Sequence, residues 1–213
     1  MRHRTVGDLM TRGVVRVGRD APFKAVVKLL AEHDVTALPV IDALGHPVGV
    51  VSEADLLRSV AVRPDPVGLP LVSRHANGAR PGDSAPTAGE LMTTPAVCAR
   101  PGWTVVEAAR VMDAEGVKRL PVVDETETLV GIVSRSDLLR VFLRQDDALR
   151  EEIAGDVLTG TLGLAPADVR VDVNEGRVAL KGRVQAQELI PVIERLCLGV
   201  DGVVSVTTDI VAV

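Results

Sequence analysis

Gly49-Val50-Val51-Ser52-Glu53-Ala54-Asp55-Leu56-Leu57-Arg58 returns later in the chain as Gly131-Ile132-Val133-Ser134-Arg135-Ser136-Asp137-Leu138-Leu139-Arg140. Two shorter stretches return with it. Val6-Gly7-Asp8-Leu9-Met10-Thr11 comes back as Ala88-Gly89-Glu90-Leu91-Met92-Thr93, and Leu38-Pro39-Val40-Ile41-Asp42 as Leu120-Pro121-Val122-Val123-Asp124. The offset stays at 82 (91 − 9, 121 − 39, 137 − 55) without a gap, and roughly a third of the paired positions are identical. Such regularity means two copies of one small unit, which cannot bury its apolar face alone. The copies are therefore expected to pack on each other and to leave two related clefts, where function is to be sought.

Each copy reads as helix, strand, strand, helix. From Pro22 to His33, Phe23, Val26, Val27 and Leu30 fall at helical spacing, with Asp20 placed as N-cap; Val105, Ala108, Ala109 and Met112 take the equivalent places. Apolar runs follow at 38–41 and 120–123, then turns at 42–47 and 124–128. Further runs lie at 48–51 and 129–133, helices start at Ser52 and Ser134, and a short strand is expected ahead of each copy near Val14–Val17 and Ala96–Ala99. Between the copies, residues 61–87 hold five prolines and three glycines without sustained periodicity, which predicts a linker or surface loop.

Past Arg144 the pattern changes. Leu149, Ile153, Val157 and Leu158 make a helical stripe, Val169, Val171 and Val173 alternate, Asn174-Glu175-Gly176 turns, and Val178 and Leu180 alternate again. A second helix carries Leu189, Val192, Ile193 and Leu196, with Pro191 confined to its first turn or kinking it. A last strand closes the chain. The fold class is thus α/β and α+β: two repeats, at 5–60 and 88–142, followed by a small α+β domain at 145–213.

With 213 residues, 46% hydrophobic and 25% charged, the chain can bury a real core. Cys98 and Cys197 lie among apolar neighbours with no Cys/His cluster able to hold zinc, and read as reduced core residues. The basic start of the chain is followed by no long apolar run, so a cytoplasmic location is expected. Net charge is −5, and residues 145–213 alone carry −6 (6 − 12). No concentrated basic face is available for phosphate backbones, and two Phe and one Trp offer few stacking platforms, which argues against nucleic acid. The four histidines are scattered, and no nucleophile elbow, phosphate loop or metal motif is present, so the chain reads as non-catalytic.

The doubled Leu-Met-Thr opening, the Leu-Pro-Val-[Ile/Val]-Asp strand and the Gly-[Val/Ile]-Val-Ser-x-x-Asp motif resemble a tandem CBS pair, the Bateman module. The tail, with Val171-x-Val173, Gly176-x-Val178-x-Leu180-x-Gly182-x-Val184 and Gly202-Val203-x-x-Val206, is similar to a BON domain. The first resemblance implies a regulatory module that binds AMP, ADP, ATP or S-adenosylmethionine in its clefts, passes occupancy to the tail or to a protein partner, and commonly pairs as a homodimer. The second implies membrane attachment. The acidic tail lacks the basic amphipathic helix that anionic lipid attracts, so a protein-interaction role is preferred over a membrane one.

On this resemblance Asp55 and Asp137 take ribose hydroxyls; a carboxylate with two acceptor oxygens suits a vicinal diol. Ser52 and Ser134 stand where helices begin, placing phosphate against free N–H groups. Gly49 and Gly131 permit close backbone approach, and Leu38, Pro39, Leu120 and Pro121 offer an apolar slot for adenine. The copies differ in one respect that bears on charge. Lys118 and Arg119 precede the second Leu-Pro, where the first copy has Thr36 and Ala37; Ser136 stands beside Asp137, and Glu53 aligns with Arg135. The expectation is that Lys118, Arg119, Ser134, Ser136 and Asp137 serve one cleft that binds phosphorylated adenosine, and that the other cleft binds weakly, takes an uncharged adenosyl group or stays empty. A plainer reading competes: Ser-x-x-Asp before an apolar helix is also a capping box, worth about 1 kcal/mol without any ligand. The runner-up function is accordingly a ligand-free adaptor and dimerisation module.

Overall fold

Apolar runs rich in valine and isoleucine build two hairpins, one in each copy. In the computed structural model, which describes residues 3–61 and 86–213, β2 (Ala37–Ile41) pairs antiparallel with β3 (Pro47–Ser52), setting Leu38 opposite Val51 and Val40 opposite Gly49. The second copy repeats the register: β4 (Arg119–Val123) pairs with β5 (Leu129–Ser134), setting Leu120 opposite Val133 and Val122 opposite Gly131. Each turn is closed by the same aspartate. Asp42 accepts the N–H groups of Leu44 and His46, and Asp124 those of Thr126 and Thr128. Both carboxyls are held below the usual range, Asp42 chiefly by the His46 N–H and Asp124 chiefly by the Thr126 hydroxyl.

The chain divides into two compact units, one of Met10–Trp103 with Glu107–Ser134 and the other of Met1–Leu9, Thr104–Val106 and Arg135–Val213. In the first unit the copies exchange their opening segments. Thr93, from the second opening, bridges to Val50 of β3, and Thr11, from the first, bridges to Ile132 of β5. Both bridges are two-way, with N–H to O distances of 2.9 and 3.1 Å in one and 2.9 and 3.0 Å in the other. The glycines sit beneath these crossings. A Cβ on Gly49 would meet Met92 Sδ at 2.5 Å, Met92 Cγ at 2.8 Å and the Thr93 carbonyl at 2.8 Å, while one on Gly131 would meet the Met10 side chain. The space expected at both glycines for a ligand is occupied by the methionine of the other copy.

The first copy adds β1 (Val17–Gly18), parallel to β2, to give the order β1-β2-β3. Its counterpart near Ala99 is a single bridge to Val122 rather than a strand. α2 (Phe23–Glu32) buries Val26 and Leu30, and α3 (Glu53–Ala61) buries Leu56, against Leu38, Val40 and Val51. Asp20 is not the N-cap of α2: Pro22 holds that position without a side-chain bond, because its ring presets the extended backbone from which the helix starts. Of the predicted linker, residues 62–85 lie outside the described residues. Its end is structured, since Thr87 caps α4 (Ala88–Leu91) through a reciprocal box with Glu90, and Pro86 accepts the Phe23 N–H. α5 (Val105–Ala114) buries Ala108 and Met112.

In the other unit, α1 (Val6–Leu9) contacts α6 (Arg135–Leu139), which tightens into a 3-10 turn over Arg140–Leu143. α7 (Asp146–Glu152) runs on as a π-helical stretch over Ile153–Thr161, where the sequence predicts a plain helix. β6 (Val169–Asn174) pairs antiparallel with β7 (Arg177–Val184), and β7 pairs parallel with β8 (Ser205–Ala212), the crossover being α8 (Leu189–Leu198). Pro191 is the third residue of α8, in the turn where its missing N–H costs nothing. Leu149, Ile153, Leu180, Ile193 and Cys197 are wholly buried at the centre. Arg144 ties the tail down, donating to the Asp201 carbonyl at 2.8 Å and to the Glu152 carboxylate at 2.6 Å.

Burial pushes the Cys197 thiol up to about 11 and that of half-buried Cys98 upward to a lesser degree. A raised thiol pKa favours the fold while the thiol is neutral. That contribution falls as pH rises above 9, where the unfolded chain ionises, and is lost towards 11. Iodoacetamide at pH 8 is expected to label Cys98 first, with the Cys197 adduct appearing in mass spectra only as the tail is unfolded by urea. Equal rates for the two cysteines in native protein would contradict the burial.

Candidate functional site

Ser52 ends β3 and Asp55 stands in the first turn of α3, so the strand-to-helix junction brings the two side chains together. Asp55 Oδ2 accepts the Ser52 backbone N–H at 2.9 Å and the Ser52 hydroxyl at 2.6 Å, and Oδ1 accepts the Arg58 guanidinium at 2.8 Å. At 7% exposure Asp55 is the one buried charged side chain among the described residues. Its three bonds satisfy both oxygens at that depth. Arg58 is 63% exposed and its pairing is of the surface kind, easily exchanged for another donor.

Beside this junction opens a cavity of about 710 Å3, within the size range of small-molecule sites. Ser52, Glu53, Asp55 and Arg58 line one side, and Glu115, Lys118 and Arg119 another. Thr36 joins them, its hydroxyl accepting from the Arg119 guanidinium and its carbonyl accepting the Glu53 N–H. Ala37, Val50, Pro95, Val97 and Val117 give the cavity an apolar wall, and Thr93 and Thr94 add hydroxyls. A second opening, of about 670 Å3, lies along Arg100 to Gly102 and Val123 to Thr126, but its guanidinium is already committed to the Asp124 carbonyl and the Glu127 carboxylate.

The grouping of side chains differs from the one read along the repeats. Lys118, just ahead of β4, and Arg119, its first residue, open into the same cavity as Ser52, the last residue of β3, and Asp55 of α3. Ser134 ends β5, while Ser136 and Asp137 lie on α6 in the other unit, where Asp137 has Arg140 at 3.9 Å. The expected apolar slot is corrected as well. Leu38 and Leu120 have no exposed surface, Pro39 and Pro121 are buried with them, and the apolar wall comes instead from Val50, Pro95, Val97 and Val117.

The helix start is not an open anion site either. The Ser52 N–H is taken by Asp55 and the Glu53 N–H by Thr36, with two carboxylates in the first turn, which disfavours a negative group there. Arg58, Glu115, Thr93 and Thr94 were not singled out as site residues. Thr93 and Arg58 carried a signal, each as the last residue of a repeated stretch.

The CBS domain family matches residues 6–62 and 88–144, and the BON domain family matches residues 145–213. The uncharacterized protein MJ1426 of Methanocaldococcus jannaschii is 28% identical over 153 residues, 65% of this chain and 90% of its own length. A homoserine O-acetyltransferase of Methanococcoides burtonii is 30% identical over 139 residues, but the matched part is only 24% of that enzyme. Among solved structures, CBSX2 of Arabidopsis thaliana in complex with AMP is 33% identical, with a TM-score of 0.50 over 65% of this chain and 96% of its own. The CBS domain pair of MJ0100, in complex with 5′-methylthioadenosine and S-adenosylmethionine, shares the fold at 23% identity, with a TM-score of 0.54 over 66% of this chain and 97% of its own.

Proposed function

Because the chain belongs to the CBS domain proteins, with two such domains and a BON domain behind them, we propose that its cavity is a regulatory, non-catalytic site for an adenosyl ligand. One observation carries this reading: Ser52 and Asp55 share a cavity of about 710 Å3 with Lys118 and Arg119. Asp55, by releasing Arg58, accepts the ribose hydroxyls. Lys118 and Arg119 face the anionic end of the ligand, and the base lies along Val50, Pro95 and Val117. The complex of CBSX2 with AMP supports the ligand class. The BON domain or a protein partner is the responder. Asp137 lies on the helix that leads, through the 3-10 turn, to Arg144 and its grip on Asp201 and Glu152. A homodimer belongs to the same reading, covering the exposed pairs Leu57/Val60 and Leu139/Phe142, which are equivalent in the two copies.

The adaptor reading keeps one observation on its side: both Asp55 oxygens are already bonded without a ligand. Thermal shift with AMP, ADP, ATP and S-adenosylmethionine separates the two. A ligand present at a hundred times its Kd stabilises the native state by about 2.7 kcal/mol, a rise of several degrees. Asp55→Ala is expected to abolish the rise for every ligand. Lys118→Ala/Arg119→Ala is expected to weaken the phosphate-bearing ligands and to spare S-adenosylmethionine. Folded protein, free of nucleotide, that shifts with none of the four is an adaptor.

A further inference from the structure

The charges around the cavity bear on which adenosyl ligand it admits. Asp55 and Arg58 neutralise each other, which leaves the cations Lys118 and Arg119 against the carboxylates Glu53 and Glu115. The wall is thus balanced rather than basic. A monophosphate, at about −1.5 to −2, is matched by the two cations alone. Each further phosphate adds negative charge to a wall whose net charge is zero, Arg58 being offset by Asp55 whether or not the two stay paired, and brings that charge towards Glu53.

Glu53 is placed at the anionic end by its bonds. It lines the cavity, its backbone N–H is held by the Thr36 carbonyl, and the Thr36 hydroxyl takes the Arg119 guanidinium, so the Glu53 backbone and the Arg119 guanidinium meet on one residue. The fold does not demand a carboxylate there. Position 135, its equivalent in the second copy (53 + 82), is arginine at the same first residue of the corresponding helix. We propose that Glu53 is a specificity residue that turns away polyphosphates, so that the cavity takes an adenosyl ligand bearing at most one phosphate.

This rests on the cavity being an adenosyl site, and the test separates the two claims. Affinities for adenosine, AMP and ATP are measured by calorimetry on the full chain with EDTA present, so that magnesium does not mask phosphate charge. They are measured at low and at about 0.5 M salt. Wild-type protein is expected to prefer AMP over ATP by about tenfold at low salt, with the preference shrinking at high salt.

Glu53→Gln is expected to narrow the preference by about three- to tenfold, and Glu53→Arg by more, while adenosine affinity is unchanged. Glu53→Asp keeps the preference. Two results would each overturn the proposal while leaving the adenosyl site standing: equal wild-type affinity for AMP and ATP, or a Glu53→Gln effect of the same size on all three ligands. The second is what a role confined to helix stability produces. Failure of all three ligands, and of S-adenosylmethionine, to bind overturns the site and the specificity together.

Discussion

Gly49→Ala is expected to destabilise the repeat unit by about 3 kcal/mol, and Met92→Ala is expected to restore only part of it. The backbone at Gly49 is not in the left-handed region, so contact alone opposes a side chain. Overfilling a packed site costs about 1–3 kcal/mol when the surroundings must move. Here the surroundings include the Thr93 carbonyl at 2.8 Å, whose shift also loosens the two-way bond between Val50 and Thr93, at about 1 kcal/mol for each hydrogen bond. The three nearest contacts of a Cβ on Gly131 all belong to the Met10 side chain, so Gly131→Ala is expected to cost less, and Met10→Ala is expected to relieve most of the clash. Urea midpoints of the four single and two double variants measure both couplings. Equal couplings for the two pairs would show that the Thr93 carbonyl is not what resists.

Ile193→Ala is expected to unfold the tail while the repeat unit stays folded. Ile193 is wholly buried among Leu149, Ile153, Leu180 and Cys197, where truncation to alanine costs about 2–5 kcal/mol. A domain of about 70 residues seldom has more than about 3–5 kcal/mol to lose. Trp103, the single tryptophan, belongs to the other unit and lies outside the tail. In the variant, far-ultraviolet circular dichroism is expected to show an early transition that Trp103 fluorescence does not follow. A single shared transition would mean that the two cores melt as one.

The element order was legible because the chain states it twice, and a register read from one hairpin serves the other. Two kinds of feature were not. An alignment places residue i beside i + 82, so it assigns Lys118 and Arg119 to the motif of their own copy. The folded chain takes them to Ser52 and Asp55, through crossings at Thr11 and Thr93 that join sheet edges far apart in sequence. The second kind is depth. Leu-Pro-Val reads equally well as a wall or as a core, and only packing of helices on these strands decides that Leu38 and Leu120 lie inside. The cap at Asp20 failed for a local reason: the helix starts at Phe23, so the N-cap position falls on Pro22 and leaves Asp20 two residues ahead of it.

The exchange of opening segments sets a timetable for synthesis. The first copy has all its own strands once residue 52 has left the ribosome, yet β3 waits for Thr93. Thr11 waits longer still, with 121 positions (132 − 11) to be made before Ile132 arrives. Such distant closures slow folding and leave strand edges open meanwhile. A ribosome pausing between the copies would hold out an unfilled edge and an unclaimed Met-Thr segment, each able to accept its counterpart from a neighbouring nascent chain. Two chains made side by side on one message could therefore fold by trading halves.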